Sequence, residues 1–215
     1  MTDANLYPGK RVKRSPEIIK VDPAHPEKVF ARCRDVIFAG GVIVYPTDTF
    51  YGLGADPGNP AAVRTLFAIK GRQQGQPILL LIKDAGKVPN FAAEIPAKAE
   101  ELMRQYWPGP LTLVFKAKEY VLPELTGGAG TIGLRVPGSA LTVRLLAFLG
   151  TALTGTSANI SGGPSPRTAE EALAAVGSAV DLIVDGGMTA GGEPSTVVDL
   201  STDIPRVVRE GAVKL

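Results

Sequence analysis

The sequence predicts an α/β fold in which helices flank a twisted mixed sheet. Three observations carry this. Short apolar runs alternate with segments of helical spacing along most of the chain. Some of those runs follow one another with no helix between, which calls for antiparallel pairs beside parallel ones. The 215 residues are 45% hydrophobic and 20% charged, the globular norm and enough for a substantial core.

Taken in order, residues 1–16 form an expected flexible basic tail carrying Lys10, Arg11, Lys13 and Arg14, and 17–211 the folded unit. Glu17 to Val21 reads as a short strand. From Pro26 to Ala39 the apolar residues Val29, Phe30, Cys33, Val36 and Ile37 recur at helical spacing, and Gly40-Gly41 ends that helix. Val42 to Tyr45 is a buried strand. Asn59-Pro60 starts the next helix, an N-cap followed by proline in the first turn, with Val63, Leu66 and Phe67 facing inward and Gly71 at its end. Strands follow at Pro77–Ile82, Leu111–Lys116, Thr131–Val136 and Thr151–Gly155. Helices are expected at Pro96–Tyr106, Ser139–Leu149 and Thr168–Val176. Three short strands close the chain near Leu182–Val184, Thr196–Leu200 and Pro205–Arg209.

Several chemistries are excluded early. The net charge is only +2, without the global basic field of a dedicated nucleic-acid binder. One cysteine, Cys33, allows neither an internal disulfide nor a cysteine-rich zinc site, and its neighbours place it in the core. The one histidine, His25, sits between Pro23 and Pro26 with no acid or serine partner at a recognisable spacing, which argues against a Ser-His-Asp or Cys-His machine. No secretory signal and no run approaching a membrane span is present, so a soluble, cytoplasmic protein without membrane partners is expected.

Five segments carry candidate chemistry. YPTDTFYGLGAD (Tyr45 to Asp56) leads a strand into a hydroxyl-rich turn that can offer hydroxyls and amides to a small ligand, or simply be a turn. AIKGRQQGQP (Ala68 to Pro77) puts Lys70 and Arg72 at a helix end. They either complement its dipole or clamp an anion. In TIGLRVPGS (Thr131 to Ser139), alternation sets Ile132, Leu134 and Val136 on one face and Gly133 with Arg135 on the other. Arg135 therefore lies on an open sheet face or meets an acidic ligand such as a carboxylate. LTGTSANISGGPSPRT (Leu153 to Thr168) is dense in hydroxyls, glycines and Asn159, suited to phosphate and ribose, yet neither a P-loop nor a GxGxxG fingerprint is present. GGEPSTVVDLSTDIPRVVREG (Gly191 to Gly211) places Ser195 and Thr196 before a strand and Arg209 before Gly211.

The order of these segments says more than any one. PTDTFYGLGAD, K-x-R, WPGPLT (Trp107 to Thr112), GLRVP, TSAN-x-SG-x-PSP and PSTVVD…VREG resemble the Sua5/YrdC/YciO family in order and spacing over about residues 17–211. Lys70, Arg72, Ser157 and Asn159 supply the KxR…SxN signature of its threonylcarbamoyl-AMP synthase branch. The resemblance implies a single YrdC-like domain with a large concave cavity, the short form of the family. It implies synthesis of threonylcarbamoyl-AMP and pyrophosphate from L-threonine, bicarbonate or CO2 and ATP with Mg2+, for the threonylcarbamoyladenosine modification of tRNA by downstream transfer proteins.

Carried over residue by residue, the resemblance implies an ATP site at Lys70, Arg72, Gln76, Thr131, Ser157, Asn159, Ser165 and Arg209, with Lys70 and Arg72 catalytic. It implies a threonine site at Thr49, Arg135, Gly155 and Ser195, where Arg135 holds the carboxylate; no protein metal ligand is implied. This chain departs from the family at Gln73 and Gln76, and at Leu81, where several members carry a histidine that touches threonine. IIKVDPAHPEKV at the start resembles YciO-type proteins. The alternative reading is an RNA-binding, ribosome-associated protein whose Lys70, Arg72, Arg135 and Arg209 contact phosphates.

Overall fold

The structure, a computed structural model, describes residues 15–71 and 75–215; most of the expected N-terminal tail, and Arg72 and Gln73, lie outside them. Along the described chain run β1 (Glu17–Lys20), α1 (Glu27–Phe38), β2 (Ile43–Pro46), β3 (Tyr51–Gly54), α2 (Pro60–Lys70), β4 (Leu80–Leu81), α3 (Ala97–Tyr106), β5 (Leu111–Lys116), α4 (Pro123–Thr126), β6 (Thr131–Arg135), α5 (Ala140–Leu149), β7 (Leu153–Thr154), β8 (Thr156–Ser157), α6 (Ala169–Val176), β9 (Leu182–Asp185), β10 (Thr196–Asp199) and β11 (Arg206–Arg209). Short 3-10 segments occupy Ala85–Asn90 and Gly177–Ala179.

The α/β class is as the sequence predicts, but the strands divide between two mixed sheets rather than one. The first has five strands in the order β1-β9-β2-β3-β8 and the second six in the order β11-β10-β5-β6-β4-β7. In the first, β1, β9 and β2 run parallel while β2-β3 and β3-β8 are antiparallel. The expected strand Thr151–Gly155 is in fact two short pieces on either side of Gly155, one in each sheet. The chain therefore steps from one sheet to the other at that glycine. Thr154 fastens the step: its Oγ1 accepts from the Ala55 amide at 2.9 Å and donates to the Leu53 carbonyl at 3.1 Å, tying β7 to the end of β3.

Helix starts and stops follow local chemistry. The Asn59 side chain accepts from the Ala61 and Ala62 amides at 3.0 and 3.2 Å, and α2 ends on Gly71 in the left-handed conformation, φ 59°. Ser139 caps α5 and Thr168 caps α6 through their hydroxyls. The apolar positions named for α1, Val29, Phe30, Cys33, Val36 and Ile37, are all buried. One core cluster joins α2, α3 and α6 to both sheets through Val44, Leu53, Leu66, Leu102, Leu134 and Ile183, among others. Another joins α1 and α5 through Phe30, Ile37, Tyr45, Leu81, Leu145 and Leu182.

Strand β3 and helix α4 were not expected from the sequence. In β3, Tyr51 and Leu53 enter the core while Gly52 and Gly54 sit against the Tyr45 ring on the paired strand β2. Among the described residues no helix is long and apolar enough to cross a membrane.

Cys33 is fully buried, and burial pushes its thiol up to about 12. The sign is clear: a neutral thiol is favoured in the fold, so its contribution to stability is complete below the ordinary thiol pKa and declines as pH rises through it toward 12. Iodoacetamide at pH 8 should therefore leave the native protein unlabelled over hours and label one site after denaturation. Fast labelling of native protein by mass spectrometry would contradict that burial.

Candidate active site

The signature residues of α2 and the loop after β8 meet directly. Lys70 is the last residue of α2 and is 1% exposed. Its Nζ donates to the Ser157 carbonyl at 2.6 Å and to Asn159 Oδ1 at 2.9 Å, with Ser157 Oγ at 3.5 Å. Ser157 Oγ in turn donates to Asn159 Oδ1 at 2.6 Å, and Asn159 Nδ2 donates to the Gly163 carbonyl. The Ser161 amide returns to the Lys70 carbonyl at 2.9 Å. A buried ammonium needs such acceptors to offset its lost hydration. Lys70 is thus woven into the loop at residues 157–163, and that loop's shape depends on it.

A second constellation lies on the six-stranded sheet. Directly paired residues on neighbouring strands share a face. The pairs Val197↔Arg209, Val197↔Thr112, Val114↔Gly133 and Lys116↔Thr131 therefore set Thr112, Thr131, Gly133, Arg135 and Arg209 on one side. Hydrogen bonds agree. Arg209 donates from Nε to the Ser195 carbonyl at 3.1 Å and from Nη2 to the same carbonyl at 2.7 Å and to Ser195 Oγ at 3.0 Å. Ser195 Oγ also lies 2.9 Å from Thr112 Oγ1. The opposite side of β6 is Ile132 and Leu134, in the core, as alternation predicts.

Arg135 is only 5% exposed, which removes the open-face reading. Nor is an outside ligand its only anion: an internal one, Asp48, is at hand. Its Nη2 lies 2.5 Å from Asp48 Oδ2, while Nε donates to the Gly109 carbonyl at 2.9 Å. Nη2 and Asp48 Oδ1 are both buried and make no well-aligned hydrogen bond, so the pair is held by charge. Beside it, Tyr45 is sealed and donates to the Thr154 carbonyl at 2.8 Å. Burial pushes its phenol well above the ordinary tyrosine range, against the pull of the Arg135 charge.

Thr49 is buried next to Asp48 in a turn organised by Thr47. The Thr47 Oγ1 accepts from the Thr49 and Phe50 amides at 3.1 and 3.3 Å and lies 3.2 Å from Thr49 Oγ1. The Thr49 carbonyl accepts from the Gly191 amide at 2.8 Å, which brings the loop after β9 over the turn. Gly155 binds the Leu79 carbonyl through its amide at 2.8 Å. A Cβ there would stand 2.6 Å from Leu79 Cδ1 and 2.9 Å from Leu81 Cγ. Leu81, paired with Arg135, is 2% exposed and belongs to the core.

The structure thus brings Lys70, Ser157 and Asn159 into one network and Ser195 with Arg209 into another. Thr131 and Arg135 share the face of the second network, and Gly155 lies at the step between the sheets. Gln76 is exposed and Ser165 half-buried, and neither bonds to the rest; Arg72 is outside the described residues. Sequence reasoning missed Asp48, Thr112 and Thr154. Thr112 stands in the WPGPLT motif and Asp48 in PTDTF, so each was quoted without a role. A groove of about 440 Å3 lined by Glu94, Pro96, Lys98, Lys116, Leu200 and Thr202, among others, includes none of the expected site residues.

An α/β protein of two mixed sheets, with a buried lysine and a sheet face of arginines and hydroxyls, is a candidate binder of anionic small molecules. The family model Sua5_yciO_yrdC, described as "Telomere recombination", matches residues 35–211. The chain belongs to this Sua5/YciO/YrdC family.

It is 42% identical over 163 residues to the threonylcarbamoyl-AMP synthase of Thiobacillus denitrificans, covering 76% of this chain and 86% of that one. It is 38% identical over 176 residues to the threonylcarbamoyl-AMP synthase of Pyrococcus abyssi, covering 82% of this chain and 52% of the relative. The solved structure of P. abyssi Sua5 complexed with L-threonine superposes with a TM-score of 0.87 at 36% identity, over 90% of this chain and 57% of that one. Against the P. abyssi relative, then, the chain spans about half the length.

Proposed function

We propose that the chain is an L-threonylcarbamoyladenylate synthase acting in the cytoplasm, whose product feeds the threonylcarbamoyl modification of tRNA by downstream transfer proteins. The observation that carries this reading is the network in which Lys70, more than eighty residues upstream, bonds to Ser157 and Asn159, so that the signature residues meet in the fold. Similarity to named synthases and to a Sua5 bound to L-threonine supports it.

In the proposed reaction the threonine amine attacks CO2, or bicarbonate with loss of hydroxide, to give N-carboxy-threonine. The new carboxylate attacks the α-phosphorus of ATP, a P–O bond forms, and the bond to pyrophosphate breaks. Two anions must meet, so positioning and electrostatics carry the rate. Arg135 with the Thr49 and Ser195 hydroxyls orients threonine at the face of the six-stranded sheet, which we take as the floor of a concave cavity. Arg72 and Arg209 neutralise the phosphates, while Lys70 holds the 157–163 loop whose hydroxyls and amides line the nucleotide side. Gln76, Thr131 and Ser165 complete the proposed ATP set. Magnesium enters with the nucleotide as MgATP, held mainly by phosphate oxygens and water.

The test is pyrophosphate release by the pure protein with MgATP, bicarbonate and each amino acid in turn. Release that requires both threonine and bicarbonate is expected. No release with any amino acid would overturn the assignment.

A further inference from the structure

The proposed reaction leaves unused a carboxylate that the fold holds firmly in place, that of Asp48. It is the ion-pair partner of Arg135, at 2.5 Å, with side chains 16% and 6% exposed. Gly138 makes room for it, since a Cβ at that position would stand 3.0 Å from Asp48 Oδ2 and 3.3 Å from its Cβ and Cγ. With Nε spent on the Gly109 carbonyl and Nη2 on Asp48, the arginine is both fixed in orientation and matched in charge.

Coulomb attraction grows with ligand charge, so an unscreened buried arginine draws phosphate more strongly than a single carboxylate. A paired arginine presents little net charge at a distance and still offers N–H donors at contact. We propose that Asp48 is a specificity-determining residue: as the built-in counter-ion of Arg135, it keeps the amino-acid subsite nearly neutral, so that the subsite takes the carboxylate of a zwitterion and turns phosphate groups away. This rests on the amino-acid role proposed above for Arg135, and it explains how one site could keep a triphosphate out of its amino-acid half.

The experiment is calorimetric titration of the full chain with L-threonine, with and without millimolar inorganic phosphate. Wild type is compared with Asp48→Asn, which keeps shape and an acceptor but not charge, with Asp48→Ser, and with the double variant Asp48→Asn/Arg135→Gln. Thermal unfolding checks that each variant is folded. In wild type, phosphate should leave threonine affinity unchanged within about twofold. In either single variant it should weaken threonine binding competitively by at least about tenfold, the sense expected when a nearby like charge is removed. Titrated with phosphate alone, the double variant, which lacks the arginine, should bind no more phosphate per chain than wild type. Folded single variants as indifferent to phosphate as wild type would overturn the proposal, and so would a wild type already displaced by phosphate. Should wild type bind no threonine at all, the functional assignment fails instead. Phosphate titration alone then still decides the role of Asp48: one additional phosphate bound per chain in the single variants supports it, and equal stoichiometry overturns it.

Discussion

Lys70→Met is expected to cut threonine- and bicarbonate-dependent pyrophosphate release by at least about tenfold, equivalent to about 1.4 kcal/mol or more of transition-state stabilisation. It should also lower stability by about 1–3 kcal/mol. Both effects have one cause. The ammonium is 1% exposed and supplies the Ser157 carbonyl and Asn159 Oδ1 with their donor at 2.6 and 2.9 Å. Methionine matches the length of the stem but takes the ammonium from the Ser157 carbonyl and one of two donors from Asn159 Oδ1, and the 157–163 loop loses its anchor. Lys70→Arg should not restore activity, because a planar fork does not fit a space closed around a point charge. Rates and melting temperature are measured on the same preparations. A folded Lys70→Met protein with wild-type turnover would dismiss the network from the chemistry.

Gly211→Ala should produce the other large effect, although it changes one methyl group beyond the last strand. The added Cβ would overlap the Pro194 carbonyl oxygen and stand 2.8 Å from Ser195 C and from Thr196 N. These are backbone atoms, so no rotamer change relieves the contact. The Ala212 amide already bonds to the Pro194 carbonyl at 2.9 Å, and Thr196 Oγ1 bonds to the Val213 carbonyl at 2.7 Å, so the tail cannot swing away cheaply. Overpacking of this kind costs about 1–3 kcal/mol. The segment forced to move carries Ser195, the meeting point of Arg209 and Thr112. A displacement there should raise the KM for threonine by about tenfold or more, since small misplacements of positioning groups are expensive. Lys214→Ala, which removes only an exposed pair with Glu193, is the control and should change neither quantity. Equal behaviour of the two variants would show that the tail does not shape the site.

How much of this was legible beforehand differs by element. The boundaries of α2 could be read because Asn59, Pro60 and Gly71 act within one turn of themselves. The same holds for the buried face of α1, and for Ile132 and Leu134 facing opposite to Arg135 on β6. The ordered motifs identified the family and named Lys70, Ser157 and Asn159 together. The sequence could not show that the lysine would be sealed inside the loop rather than exposed as a clamp. That contact joins residues 87 apart in sequence and exists only once β8 pairs with β3.

By itself, then, the sequence determined the α/β class, most helices, the faces of β6 and the family. Periodicity, caps and motif order are properties of neighbouring residues and survive in a linear string. Only the tertiary structure decided that the strands form two sheets, that the chain crosses between them at Gly155, and that Arg135 has Asp48 for a counter-ion. Those outcomes depend on strand register and on the approach of distant segments. A charge placed in a strand reports that a partner is needed, and packing alone selects which one.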